Sequence, residues 1–165
     1  MEPNFQALQL IAELALGIVG FSAILISLSR SSDGFSSPDN FRIQLLTYSA
    51  FGAMFGALLP FAIFSDRNLE LAWLISCWIM CIYSIMGLLV FPRKMLVLRQ
   101  QGHKEIFPIK VYFFQTSILS AIFFISGLMI TGYIVELTNT YVVCLILFLL
   151  QSSIAFIRTM FVRVQ

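Results

Sequence analysis

Few side chains in this chain could do chemistry, and their spacing selects little of it. There is one histidine, His103, and there are three cysteines, Cys77, Cys81 and Cys144. Cys77 and Cys81 are four apart, so a helix would put both thiols on one face. No histidine or carboxylate is placed to complete the four ligands of a structural zinc. A Ser–His–acid triad needs its histidine in a shielded site, whereas His103 sits alone in a basic stretch; the ordinary reading is a solvated loop residue, with pH sensing the alternative. The sequence has no His-Glu-x-x-His, no Gly-x-Ser-x-Gly and no phosphate-cradling glycine loop. A pair of histidines for a redox cofactor is missing too. The chain therefore reads as non-enzymatic, without metal or cofactor.

One set of residues does align. At 100° per residue, Gln6, Gln9, Glu13, Gly17, Gly20, Ile24 and Ser27 fall within about 40° of one line on a helix. Only Ile24 among them is bulky and apolar. In hydrocarbon a carboxylate and two amides cost kilocalories each, so this face is expected to meet protein or water. In one reading, Gly17 and Gly20 admit another helix while Glu13, Gln9 and Gln6 hydrogen-bond across the contact. In the other, the stripe lines a polar path with Glu13 as a cation or proton site. A small-molecule site is a third, weaker reading.

The elements that must carry this face are set by composition. Hydrophobic residues make up 59% of the 165, charged residues 11%, and the mean hydropathy is +0.93. Soluble domains average about 45–50% apolar and about 25% charged residues, and ten Lys/Arg with eight Asp/Glu cannot cover a soluble surface here. Soluble enzymes, nucleic-acid-binding modules and disordered chains are excluded together. Charge-free runs cover residues 43–65, 71–92, 111–135 and 137–157, each meeting the length of about 20 residues that crosses the hydrocarbon as a helix. The run at 14–29 reaches that length if it begins near Phe5 and admits Glu13. No segment alternates as a membrane β-strand would. The expectation is an all-α membrane protein, a five-helix transmembrane bundle forming one domain over 1–165, with helices at about 5–29, 43–65, 70–92, 110–135 and 137–158.

Orientation follows from cations in short loops. The first and third loops and the C-terminus hold nine of the ten Lys/Arg, which predicts the C-terminus in the cytoplasm and the N-terminus outside. A cleavable signal peptide needs a basic region before its apolar stretch, and the first cation is Arg30. The three cysteines fall inside spans, where they act as small apolar groups. No Asn-x-Ser/Thr sequon occurs, which fits a bacterial plasma (inner) membrane.

Other helices carry lines of small residues. In the second, Ser49, Ala53, Gly56 and Pro60 share a face. Gly52 with Gly56, and Ala53 with Ala57, repeat the small-xxx-small spacing of packed membrane helices; Pro60 should kink the helix. Glu70, Trp73, Cys77, Cys81 and Ser84 align in the third, Thr116, Ser120, Gly127 and Thr131 in the fourth, and Thr140, Cys144 and Gln151 in the fifth. The basic segment 93–110 reads either as an extension of the third helix ending in a turn at Gln101-Gly102, or as a surface for anionic lipid carried by Arg93, Lys94, Arg99 and Lys104. Partners are thus the lipid bilayer and a second copy or another membrane protein, not nucleic acid. Three functions remain open: a helix-packing subunit or scaffold, an oligomeric cation or proton channel or carrier using the Glu13 face, and an intramembrane enzyme or lipid-handling protein, for which no catalytic set is visible.

Overall fold

The computed structural model describes residues 3–29, 36–64 and 69–161 and contains five helices. They are α1 (Phe5–Ser29), α2 (Ser37–Ile63), α3 (Leu69–Gln100), α4 (Ile109–Ile130) and α5 (Leu137–Phe161). Each is long and apolar enough to cross a membrane.

Local chemistry explains the ends. Asn4 starts α1, its side-chain oxygen accepting from the Ala7 N–H at 3.1 Å, as an N-cap does for an otherwise unpaired donor. Ser36 caps α2 in the same way, accepting from Asp39 N–H at 3.4 Å, with Pro38 in the first turn. That cap starts α2 six residues before the charge-free run that marked it in the sequence. α3 runs eight residues past Pro92, because Met95 and Leu98 are buried together with Phe91 beside Phe41 and Phe107. It ends at a turn in which Gly102 takes φ 104°, where a Cβ would be strained. α4 stops at Ile130, five residues short of its charge-free run. Thr131 folds its hydroxyl back onto the Leu128 carbonyl at 3.0 Å, and Gly132 turns the chain at φ 76°.

α2 and α5 form the central pair, α3 and α4 close one side of them, and α1 lies against the α2–α5 pair on the other. Small residues make the close contacts. Ala50, Ala53 and Ala57 of α2 are fully buried. A Cβ on Gly52 would stand 2.6 Å from the Tyr83 ring, and one on Gly56 2.6 Å from Leu145 Cδ2. At Gly52 a side chain would press on a ring held by stacking and hydrogen bonds, whereas at Gly56 it would have to displace the end of the Leu145 side chain. Pro60 has no N–H to give the Gly56 carbonyl four residues back, and Tyr141 Oη donates to that carbonyl at 2.7 Å instead. An unpaired carbonyl inside a membrane protein costs kilocalories, so the tyrosine of α5 repairs what the proline of α2 removes. Tyr48 and Tyr83 stack with ring centroids 4.3 Å apart and exchange hydrogen bonds, each hydroxyl donating to the other residue's carbonyl.

The lines of small and polar residues divide. In α3, Trp73, Cys77, Cys81 and Ser84 are buried, and in α5 so are Cys144 and Gln151. In α4 the buried seam is Gln115, Ile118, Leu119, Ile122, Ser126 and Met129. The line through Thr116 and Gly127 lies beside it, and a Cβ on Gly127 would meet nothing within 4 Å.

Candidate functional site: the outward face of α1

α1 packs inward through Leu8, Ile11, Ala12 and Ala15, with Ser22 buried on the same side. These positions lie diametrically across the helix from the polar stripe at 100° per residue. Ala12 and Ala15 share one buried cluster with Ala53 and Ala57 of α2, and the Phe5 ring lies tilted against Phe61 with centroids 4.8 Å apart. Ser22 satisfies its hydroxyl on the Ile18 carbonyl at 2.5 Å, so it makes no demand on a neighbour. The inner face therefore needs nothing from the stripe to hold the helix in place.

The stripe points away from the bundle. Gln6, Gln9, Glu13, Gly17, Gly20 and Ser27 are all exposed, and Ile24 is 58% exposed. Gln9 Nε2 donates to Glu13 Oε1 at 2.9 Å, and Ser27 donates to the Ala23 carbonyl at 2.9 Å. A Cβ built on Gly17 or Gly20 meets nothing within 4 Å. These two glycines accommodate no helix of this chain, in contrast to Gly52 and Gly56. Only 22% of the apolar stretch of α1 is buried, against 33 to 39% in the other four helices. The arrangement presents a carboxylate bridged to an amide, and one turn further on a bare strip of backbone. In hydrocarbon such a carboxylate and amide cost kilocalories.

The basic residues of 93–110 serve different ends. Arg93 and Lys94 are exposed in the last part of α3, and Lys94 Nζ donates to Gln44 Oε1 at 2.9 Å. Arg99 instead donates to the Phe107 carbonyl, while Lys104 is exposed in the turn beyond. Phe107 is 1% exposed and lies between two guanidinium groups, with Arg42 5.6 Å and Arg158 5.7 Å from its ring centroid. Arg158 also donates to the Ile106 carbonyl at 2.5 Å, and Arg42 pairs with Asp39 at 3.4 Å. Cations stacked on an aromatic face gain about 0.5–2 kcal/mol each, so three arginines fasten the α3–α4 connection to the bundle.

Sequence reasoning missed this clasp, the Tyr48–Tyr83 exchange and the buried amide of Gln115; Gln151 it placed on a packing line without seeing that its amide is left unpaired. Gln151 is fully buried and neither of its amide atoms is hydrogen-bonded among the described residues; the same holds for Gln115 Oε1. Both border a cavity of about 10 Å³, the room of a single water. A glutamine within each of two apolar runs was the available signal. Among the described residues no three His, Cys, Asp or Glu gather as metal ligands, and all three cysteines are free and buried.

Five apolar helices with internally satisfied backbones define a polytopic membrane protein. The chain matches no family model, and comparison with curated proteins and with solved structures found none similar to it.

Proposed function

We propose that this protein is a non-catalytic membrane subunit that docks, through the outward face of α1, onto a second copy of itself or another membrane protein. One observation carries the reading: Glu13 and Gln9 are exposed on a helix whose opposite face already holds it in the bundle. An acidic side chain facing lipid near the middle of a span costs roughly 3 kcal/mol, and a protein surface removes that cost. Gly17 and Gly20 then let the backbones approach. In a two-fold pair the same residues of both copies would face each other, glutamine amides meeting glutamate oxygens. The bias of cations supports a cytoplasmic C-terminus and an outside N-terminus, and the lack of an Asn-x-Ser/Thr sequon fits a bacterial plasma membrane.

Copy number in native-membrane nanodiscs tests this. The wild-type chain should elute and count as an oligomer or bring down a partner. Gly17→Leu with Gly20→Leu should convert it to a folded monomer. A wild-type monomer with no bound protein overturns the reading.

A second reading rests on the same exposure. If several copies closed around α1, Glu13 would face a shared axis as a cation or proton site. Liposomes carrying the protein would then dissipate a cation or proton gradient, and Glu13→Gln would blunt the flux.

A further inference from the structure

The groove where the basic end of α3 crosses the start of α2 is a second site, independent of α1. It has a volume of about 410 Å³ and is rimmed by Asn40, Gln44, Arg93, Lys94 and Gln101. Phe41 and Leu98, both buried, form its floor with Val97. No carboxylate lines it among the described residues; Asp39, next to Asn40 in sequence, is turned to Ser36 and Arg42.

We propose that this groove holds the phosphate of an anionic phospholipid headgroup. Three properties lead there. The first is charge: two cations line the groove with the amides of Asn40 and Gln101, Gln44 being engaged between Asn40 and Lys94, and no acid among the described residues answers them. Arg93 offers a planar fork suited to two phosphate oxygens. Lys94 spends one of its three donors on Gln44 at 2.9 Å and keeps two. The second is depth. α3 has 32 residues, about 48 Å at about 1.5 Å per residue, against about 30 Å of hydrocarbon. Its charge-free part ends at Pro92, and that of α2 begins at Ile43. Arg93, Lys94, Asn40 and Gln44 therefore flank the boundary between acyl chains and water, where phosphates lie. The third is selectivity. A zwitterionic headgroup carries an ammonium that wants a carboxylate, and the described residues of the groove offer none, so a net-anionic lipid fits better. Arg99, committed to the Phe107 carbonyl, and Lys104 lie outside this rim.

Native mass spectrometry of the full chain with phosphatidylglycerol or phosphatidylcholine at equal concentration tests the assignment. Phosphatidylglycerol should be retained selectively. With each cation near the headgroups contributing as lipid surfaces show, Arg93→Gln with Lys94→Gln should cut retention by about 30-fold, while Lys104→Gln with Lys110→Gln, an equal charge change, should leave it within about twofold. Gln101→Glu, which places a carboxylate on the rim, should also lower retention. Equal loss for both cation pairs, or no preference between the lipids, overturns the proposal. So does displacement of the lipid by millimolar inorganic phosphate, which would assign the groove to a soluble anion.

Discussion

Individual residues divide here into those that hold the bundle and those that hold nothing within the chain. Glycine shows the division best. Gly52→Ala would place a methyl 2.6 Å from a Tyr83 ring already fixed by stacking and by hydrogen bonds. It should destabilise the protein by about 1–3 kcal/mol, as overpacking does, in a denaturant titration in micelles. Gly17→Ala meets open space and should leave that titration unchanged. The Tyr141 hydroxyl is a second case. Because it serves the carbonyl that Pro60 leaves unpaired, Tyr141→Phe should cost about 1–3 kcal/mol in the native background. With Pro60→Ala, which restores a backbone donor, the same change should cost clearly less. Equal cost in both backgrounds would break the link between the two residues. The sequence showed Pro60 and the small-residue spacing. It did not show the tyrosine, because the partner lies 85 residues away on another helix.

At the level of elements, charge-free runs locate the helices and misplace some of their ends. Hydropathy is blind to a turn made of Thr131 and Gly132 inside an uncharged stretch, and equally blind to a helix that continues through Arg93 and Lys94 because its other side is buried. Helical periodicity identified the polar stripe of α1, but periodicity alone does not say which side faces the bundle. That depends on the alanines of α1 meeting the alanines of α2, a fact about two helices at once. The α3–α4 connection is an element whose order comes from outside itself. Phe107→Ala removes the ring between Arg42 and Arg158. Amide exchange over residues 103–112 should then speed up by tenfold or more, about 1.4 kcal/mol of lost protection, while α2 and α5 keep theirs. Unchanged exchange there would mean that the backbone contacts of Arg99 and Arg158 suffice.

Across the whole molecule, α2 to α5 pack around a core of small side chains and aromatics, to which α1 adds Leu8, Ile11, Ala12 and Ala15 from one side. The proposed docking role gives Glu13, Gln9 and two glycines on the far side of α1 a contact that the chain itself does not supply. Composition and charge made the membrane location legible. What the outer side of α1 meets was not legible, since nothing in one chain specifies its neighbour. The lipid groove and the α1 face lie on different helices, so loss of either should leave the other's binding intact.

The claim that protein covers the outward face of α1 can be measured by oxygen collision with a nitroxide label. A label on Ile24→Cys, on the same stripe and with a native side chain 58% exposed, would be compared in liposomes with one on Phe124→Cys, whose native side chain is 65% exposed. The native cysteines are buried and should not compete for the label. The account expects oxygen access at position 24 to be several-fold below that at 124, rising to match it when Gly17→Leu is added. Equal access at both positions in the otherwise native chain would contradict it.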